Sequence, residues 1–185
     1  LDAAIEAAAV TGWTTARHKH YATVDLPIWQ AVPVAQSLNK ALSLEIFPAM
    51  GKAFHVSPCR LVLSEAFLVR YHPDGQSSLP LHRDGTLFSC NILLNSAGEF
   101  DGGGTCFAVP TPLTDTSPRE WTDPDWPAAC TTQQVYNVRA EIGDCLLHCG
   151  QLLHGGGSVT RGKRFVLICF ITELVDSPDQ LYEEC

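Results

Sequence analysis

From about residue 61 to residue 172, the sequence is a series of short apolar runs separated by turn-forming residues. The first run, 61–71, alternates between two sets of positions as a long strand does. Many short strands separated by turns are typical of antiparallel sandwiches and barrels. The pattern therefore predicts an antiparallel jelly roll, a double-stranded β-helix in which strands distant in sequence lie side by side. Later runs stand at 105–109, 135–138, 144–148, 152–154 and 164–172.

The N-terminal part of the chain has a different periodicity. Residues 1–10 are Ala-rich and predict a short helix, and residues 33–54 carry apolar side chains at helical spacing. Pro48 should kink or divide that second helix, because proline cannot donate a backbone hydrogen bond. We expect an α+β fold with the N-terminal helices packed against one sheet. The expected organisation is a single domain over 1–185, with a helical support at 1–56 and a jelly-roll core at 57–175.

Length, charge and cysteine content limit the classes of function. The 185 residues are 45% hydrophobic, which is enough for one domain with a sizeable core. A formal net charge of -8 argues against a nucleic-acid partner and is compatible with a basic peptide. No apolar run approaches the ~20 residues of a membrane span. The oligomeric state stays open.

The eight cysteines divide by their surroundings. Cys90, Cys145 and Cys169 lie inside apolar runs, where a free cysteine behaves as a small apolar residue. Cys130 and Cys185 lie in polar segments and are better candidates for a disulfide. Their presence slightly favours the secretory pathway, such as the endoplasmic reticulum, as the compartment.

Two distant stretches carry residues that could form one metal site. His82 and Asp84 have the i, i+2 spacing that places both side chains on one face of an extended strand. His154 follows far downstream, and two histidines with one carboxylate form the facial triad of non-haem Fe(II) oxygenases. Arg164 opens the next apolar run, and an arginine aimed at the same pocket can hold a dicarboxylate. The combination predicts an iron site beside a 2-oxoglutarate subsite.

Three other features have more than one interpretation. The run Gly102–Gly104 could cradle phosphate, but no helix start or lysine follows it, so close packing or a tight turn is favoured. The cluster His18-Lys19-His20 could bind a metal, although a solvated strand edge is the commoner role. The Pro- and Trp-rich segment Pro110–Cys130 is either a lid over a substrate or a passive surface loop.

Four segments taken together resemble the catalytic domain of procollagen lysyl hydroxylases. They are residues 67–84, Asn91–Asn95, Gly102–Gly104 and His148–Arg164. More broadly, the chain is similar to the prolyl 4-hydroxylase-like branch of the Fe(II)/2-oxoglutarate dioxygenases. The resemblance covers roughly residues 60–172 and keeps the triad, the arginine, the glycine run and an upstream Arg-Tyr-x-Pro-Asp in order. Arg83 stands where the family often has a second histidine.

The resemblance implies a set of ligands, with no catalytic residue beyond them. It implies iron held by His82, Asp84 and His154, and a 2-oxoglutarate distal carboxylate paired with Arg164. Tyr71 and Asn91 fall at family positions that face the cosubstrate, and His148 matches a family histidine with a supporting or structural role.

The implied activity is hydroxylation of an unactivated C–H bond. It would consume O2 and 2-oxoglutarate, release succinate and CO2, and use ascorbate as a reductant. The expected substrate is a peptidyl Lys or Pro residue in a protein or peptide, with Lys modestly favoured. Two alternatives stay open: a small-molecule or free amino acid hydroxylase of the same chemistry, and a non-catalytic jelly-roll binding module that retains a metal. A zinc hydrolase would leave Arg164 without a role.

Overall fold

Three helices occupy the N-terminal part of the computed structural model, which describes residues 1–18, 21–110 and 133–174. They are α1 (Asp2–Thr11), α2 (Val32–Ala41) and α3 (Phe47–Phe54). A π-helical turn, Leu42–Ile46, joins α2 to α3, and Pro48 stands in the first turn of α3. Because proline has no N–H to bond back into the preceding turn, the hydrogen-bond ladder changes pitch there. The predicted division of this helix at Pro48 is confirmed.

Eleven strands form two main antiparallel sheets and a small ribbon in the described chain. The larger sheet has the order β1-β2-β11-β4-β8, the second has the order β3-β9-β6-β7, and β10 pairs with β5. This arrangement confirms the predicted α+β jelly roll. The strands are β1 (Asp25–Pro27), β2 (Leu61–Tyr71), β3 (Leu79–His82), β4 (Phe88–Leu93), β5 (Phe100–Gly102), β6 (Thr105–Pro110), β7 (Gln133–Val138), β8 (Cys145–Cys149), β9 (His154–Gly156), β10 (Val159–Gly162) and β11 (Arg164–Glu173).

The helices pack on the outer face of the five-stranded sheet. Ala4 of α1, Leu38 of α2 and Met50 of α3 join one buried cluster with side chains of β2, β4 and β11. Cys90 and Cys169 are fully buried in that cluster and face each other across β4 and β11. They are free thiols that fill space, as the sequence predicts. The opposite face of the sheet is left to line the interior of the jelly roll.

A β-bulge in β2 determines which of its side chains reach that interior. On β11, Phe170 pairs with Glu65 while its neighbour Ile171 pairs with Leu63, so β2 has one extra residue at Ser64. An extra residue exchanges the faces of all positions beyond it. Leu63 therefore packs with the helices, and Glu65 lies on the opposite face of β2, the face that also carries Phe67. The sequence predicted one face for the alternate residues 61–71, and the bulge makes that prediction wrong below residue 65.

Other differences from prediction concern short strands. The apolar stretch 81–95 is split, since β3 ends at His82 and β4 begins at Phe88. The predicted strand at 152–154 begins instead at His154, and β5 and β10 were not predicted. These strands are three or four residues long and rich in glycine or polar residues, so their apolar pattern is weak. The division into a support at 1–56 and a core at 57–175 stays a prediction.

No helix in the described part of the chain is both long and apolar enough to span a membrane.

Candidate metal centre and adjoining cavity

A cavity of ≈ 440 Å³ lies inside the jelly roll. Its floor consists of side chains from β2 and β11 that pair in register, and Asn91 of β4 extends the same surface. The row is polar where Tyr71 faces Arg164, which we call the polar end, and it is apolar beyond that pair. The paired residues are Tyr71 with Arg164, Val69 with Val166, and Phe67 with Ile168.

The three residues of the predicted triad converge beside this floor. His82 ends β3 and lies directly opposite His154, which begins β9, and Asp84 follows two residues after His82. Ligand atoms of the three side chains all lie within 4.8 Å of one another. The Nε2 atoms of His82 and His154 are each 3.4 Å from a different carboxylate oxygen of Asp84. The pairing of β3 with β9 thus brings together residues separated by about 70 positions in the sequence.

Backbone contacts orient both imidazoles toward one point. The Nδ1 of His82 lies 2.9 Å from the Pro80 carbonyl oxygen, and the Nδ1 of His154 lies 2.7 Å from the Leu152 carbonyl oxygen. A carbonyl can only accept, so each Nδ1 carries the proton and each Nε2 presents a lone pair. This second contact is the usual one for a metal-binding histidine. Two neutral imidazoles and a carboxylate fit a divalent transition metal such as Fe(II).

Asp84 is held in its ionised form. The hydroxyl of Ser89 donates to Asp84 Oδ2 at 2.5 Å. Burial raises the pKa of the Asp84 carboxyl, but the contact with the His82 ring and the hydrogen bond from Ser89 outweigh it, and the net pKa is lowered. Burial lowers the pKa of His154, which favours its neutral imidazole. Both shifts favour the protonation states that metal ligands require. At His82 burial lowers the pKa, but the Asp84 carboxylate and the Pro80 carbonyl outweigh it and raise the pKa, so a metal must displace a proton there.

His148 packs against the ring of His154, one of the three grouped residues. It is buried on β8, with its ring centroid 4.4 Å from that of His154 and 5.3 Å from that of Phe107. Burial lowers the pKa of His148 to about 4, so the ring stays neutral. Its Nε2 has no hydrogen-bond partner in the described structure. Its position fits the supporting role that the sequence resemblance implies.

Arg164 lies at the polar end of the cavity and has no counter-ion among the described residues. The residue is only 6% exposed, and within the described residues its guanidinium forms no hydrogen bond or ion pair. The guanidinium carbon lies 5.5 Å from the ring centroid of Tyr71. Burial lowers the pKa of the Arg164 guanidinium, yet an arginine keeps its charge in proteins. Burying an uncompensated charge is costly, so this position favours an anionic ligand.

Tyr71 and Asn91 offer neutral hydrogen-bonding groups on the cavity floor, Tyr71 opposite Arg164 and Asn91 opposite Ile168. Both are buried and line the cavity, and their side chains make no hydrogen bond to any described residue. Burial raises the pKa of Tyr71 to about 12, so its hydroxyl remains a donor at neutral pH. The two residues are therefore free to bind a polar ligand held by Arg164.

Two glycine runs, Gly102–Gly104 and Gly155–Gly157, pack against Tyr71 and Arg164. A Cβ atom on Gly156 would lie 3.0 Å from the Tyr71 hydroxyl oxygen, and one on Gly103 would lie 3.0 Å from Arg164 Cδ. Gly103 also has a φ of 69°, which side-chain-bearing residues rarely adopt. The run Gly102–Gly104 thus serves close packing, as predicted, and leaves room for the two side chains at the polar end.

The N-terminal segment forms a wall that the sequence did not predict. Arg17, His18, Tyr21 and Thr23 all line the cavity, and the Tyr21 ring centroid lies 4.9 Å from that of His82. His18 is outside the group of residues close enough to share a metal and stacks instead on Phe67, 4.6 Å away. The basic cluster at 18–20 was the only sequence signal for this wall. Lys19 and His20, the segment Pro110–Cys130 beyond its first residue, and Cys185 lie outside the described residues.

Comparison with known proteins identifies relatives by sequence. No model of a known protein family matches the chain. A procollagen-lysine,2-oxoglutarate 5-dioxygenase 1 from Mus musculus is 29% identical over 156 residues, which cover 83% of this chain and 18% of that protein. A procollagen-lysine,2-oxoglutarate 5-dioxygenase from Drosophila melanogaster is 32% identical over 139 residues, 71% of this chain and 16% of that protein. The chain thus spans less than a fifth of the length of these relatives.

Solved structures share the fold at lower sequence identity. The α-ketoglutarate-dependent carbocyclase SnoK matches with a TM-score of 0.65 and 16% identity, over 93% of this chain and 73% of that one. The epimerase SnoN, solved with Fe3+ and α-ketoglutarate, matches with a TM-score of 0.60 and 14% identity, over 92% and 71%. A prolyl 4-hydroxylase from Phytophthora capsici matches with a TM-score of 0.50 and 15% identity, over 86% and 54%.

These likenesses agree with the architecture and the grouped side chains. The solved structures support the fold, and the sequence relatives connect it to one branch of enzymes. By sequence and by fold the chain is thus similar to 2-oxoglutarate-dependent dioxygenases, and its sequence is lysyl hydroxylase-like.

Proposed function

We propose that the chain is a hydroxylase that uses Fe(II), 2-oxoglutarate and O2, with ascorbate as reductant, to modify a peptidyl Lys or Pro residue. His82, Asp84 and His154 would hold the iron. Arg164 would bind the distal carboxylate of 2-oxoglutarate, with Tyr71 and Asn91 as further hydrogen-bonding partners. The bound iron and 2-oxoglutarate supply the oxidation that yields succinate, CO2 and the hydroxylated product.

The observation that carries this proposal is the buried guanidinium of Arg164, which pairs with no described residue and lies in the cavity that the His-Asp-His group also borders. A metal-binding module or a zinc hydrolase would need the three ligands but has no use for a buried cation beside them. A dicarboxylate that reaches from Arg164 toward the metal centre gives both features one explanation.

The residues of the chain orient the reactants and hold their charges. Pro80 and Leu152 fix the two imidazoles through their Nδ1 protons, and Ser89 fixes the Asp84 carboxylate. Tyr71 keeps its proton because of its raised pKa and can donate to a carboxylate or keto oxygen. Apolar side chains of Val69, Val166 and Ile168 line the floor between the two ends of the cavity and limit water there.

The peptidyl substrate is supported by the relatives, whose names specify procollagen lysine. The cavity adds only that one side opens along the N-terminal wall, where Tyr21 is 41% exposed beside His82. A substrate side chain entering along this wall would meet the metal centre first. The choice between Lys and Pro needs an experiment.

The test is succinate release from 2-oxoglutarate with Fe(II) and ascorbate, measured against a panel of Lys- and Pro-containing peptides. We expect turnover that a peptide stimulates and that His154→Ala abolishes, and mass spectrometry of the best peptide would locate the added oxygen. Because His154→Ala removes only one ligand, its circular dichroism spectrum must match that of the unmodified chain.

The other results discriminate between the alternatives. Turnover that no peptide stimulates would keep the iron chemistry but reject the peptidyl substrate in favour of a small molecule or free amino acid. Stoichiometric metal binding with no succinate release would reject the hydroxylase and support a metal-retaining binding module.

A further inference from the structure

The end of the cavity opposite Arg164 carries a second arginine to which the proposed chemistry gives no role. The guanidinium of Arg17 lines the cavity and binds Asp25 Oδ1 at 2.8 Å, and it also binds a carboxylate oxygen of Glu65. It lies 5.1 Å from the ring centroid of Phe67 and 5.3 Å from that of Trp29. Two carboxylates and two aromatic rings therefore hold this guanidinium in place.

Glu65 takes part because of the bulge in β2. The extra residue at Ser64 places Glu65 on the face of β2 that also carries Phe67, opposite Phe170 on β11. Its side chain is 34% exposed, whereas Asp25 is fully buried. Glu65 is thus the carboxylate of this group that solvent reaches, and it adjoins the cavity through Arg17.

The group carries more negative than positive charge. Asp25 and Glu65 together offset the single charge of Arg17, and Thr23 Oγ1 satisfies the second oxygen of Asp25 at 2.6 Å. Burial lowers the pKa of His18, so this neighbour adds no fixed positive charge. The positive charge of Arg17 is therefore not available to an anionic substrate.

Among the residues that the structure describes, charges elsewhere in the cavity do not reverse this balance. The charges of Fe(II), Asp84, the 2-oxoglutarate dianion and Arg164 cancel when all are present. Arg83 also lines the cavity, but it is exposed and its guanidinium binds the backbone carbonyl of Gln151. Solvent screens an exposed charge strongly.

On the basis of the proposed function, we propose that Arg17 and Glu65 determine the charge selectivity for the substrate. Glu65 neutralises Arg17 at the substrate end, so the cavity accepts cationic or neutral side chains and excludes anionic ones. Removing the Glu65 charge leaves the guanidinium with Asp25 alone, and one of its edges then becomes available to an anion. A gain of anion binding is a result that a merely structural role for Glu65 would not produce.

The test compares three blocked tripeptides, acetyl-Gly-X-Gly-amide, in which X is Lys, norleucine or Glu. Their dissociation constants are measured by calorimetry on the Fe(II)- and 2-oxoglutarate-loaded protein without O2, so that no turnover occurs. We expect the Lys peptide to bind about five- to tenfold more tightly than the Glu peptide. In Glu65→Gln this ratio should fall to about one, and in Glu65→Lys the Glu peptide should bind more tightly.

Glu45→Gln is the matched control. Glu45 is exposed on the π-helical turn between α2 and α3, and its substitution makes the same change in net charge. It should leave the Lys-to-Glu ratio unchanged. Raising the salt concentration should reduce the ratio in the unmodified chain, which gives a test that does not depend on the folding of any variant.

The outcomes separate this inference from the proposed function. If the unmodified protein with Fe(II) fails to bind 2-oxoglutarate, the proposed function is rejected. If 2-oxoglutarate binds but the Glu peptide binds as tightly as the Lys peptide, the charge selectivity is rejected. An unchanged ratio in a folded Glu65→Gln variant, or no binding of any of the three peptides, also overturns it.

Discussion

Arg164 and Arg17 lie at opposite ends of one cavity and differ in their partners. Arg164 is buried and, among the described residues, has neither an ion pair nor a hydrogen bond. Arg17 binds two carboxylates and contacts two aromatic rings. A buried charge without a partner is tolerated where a ligand supplies one, whereas a charge with two partners is part of the wall. On this contrast rests our proposal that the polar end takes an anionic cosubstrate and the other end takes the substrate.

The largest expected effect comes from exchanging each arginine for methionine, which keeps the length of the side chain but removes the charge. Arg164→Met should weaken 2-oxoglutarate binding by about 100-fold, because two charge-assisted hydrogen bonds are lost. Arg17→Met should change that constant by less than about twofold, since its partners belong to the protein. Calorimetric titration of both variants checks the comparison, and equal losses in the two would contradict it.

Much of the metal centre and of the polar end could be predicted from the sequence. The i, i+2 spacing of His82 and Asp84 and the position of Arg164 at the start of an apolar run are local patterns, which tertiary context seldom changes. That His82 lies opposite His154 depends on the pairing of β3 with β9, and those strands are too short and glycine-rich to show a register. The resemblance to a known family supplied what the local pattern could not.

The substrate end could not be predicted in the same way. Arg17 and Glu65 are 48 residues apart, and their contact depends on a bulge that leaves no mark in the alternation of β2. The sequence places Glu65 on the same face as Leu63, where it would meet the apolar helices. Only the extra residue at Ser64 turns it to the opposite face.

A second prediction concerns the metal centre between the two ends. Ser89→Ala removes the hydroxyl that donates to Asp84 Oδ2 and leaves this oxygen without its partner. Loss of such a supporting contact typically weakens metal binding by about 10- to 100-fold, so we expect the lower end of that range here because His82 still contacts Asp84. Competition with a chromophoric chelator measures the constant. Ser43→Ala, on the exposed π-helical turn, is the control, and equal metal affinities in the two variants would show that Ser89 has no such role.

A smaller effect is expected from added volume at the polar end. Gly156→Ala places a Cβ atom 3.0 Å from the Tyr71 hydroxyl oxygen, which must shift toward the space assigned to 2-oxoglutarate. We expect about tenfold weaker 2-oxoglutarate binding, within the usual cost of overpacking. Gly85→Ala adds the same methyl group at another cavity-lining position where nothing lies within 4 Å, and it should leave the constant unchanged. A similar constant in both variants would reject the assignment of the cosubstrate to this end.

The smallest expected effect separates two tyrosines of the same cavity. Tyr71 faces Arg164, while Tyr21 lies against His82 on the N-terminal wall. Tyr71→Phe removes one neutral donor, whose net contribution is about 0.5–1.5 kcal/mol, so 2-oxoglutarate binding should weaken by about three- to tenfold. Because the pKa of Tyr71 is about 12, this loss should be constant between pH 6 and ~9, where the hydroxyl keeps its proton. Tyr21→Phe should leave the constant unchanged, and the opposite order of the two effects would exchange the ends to which cosubstrate and substrate are assigned.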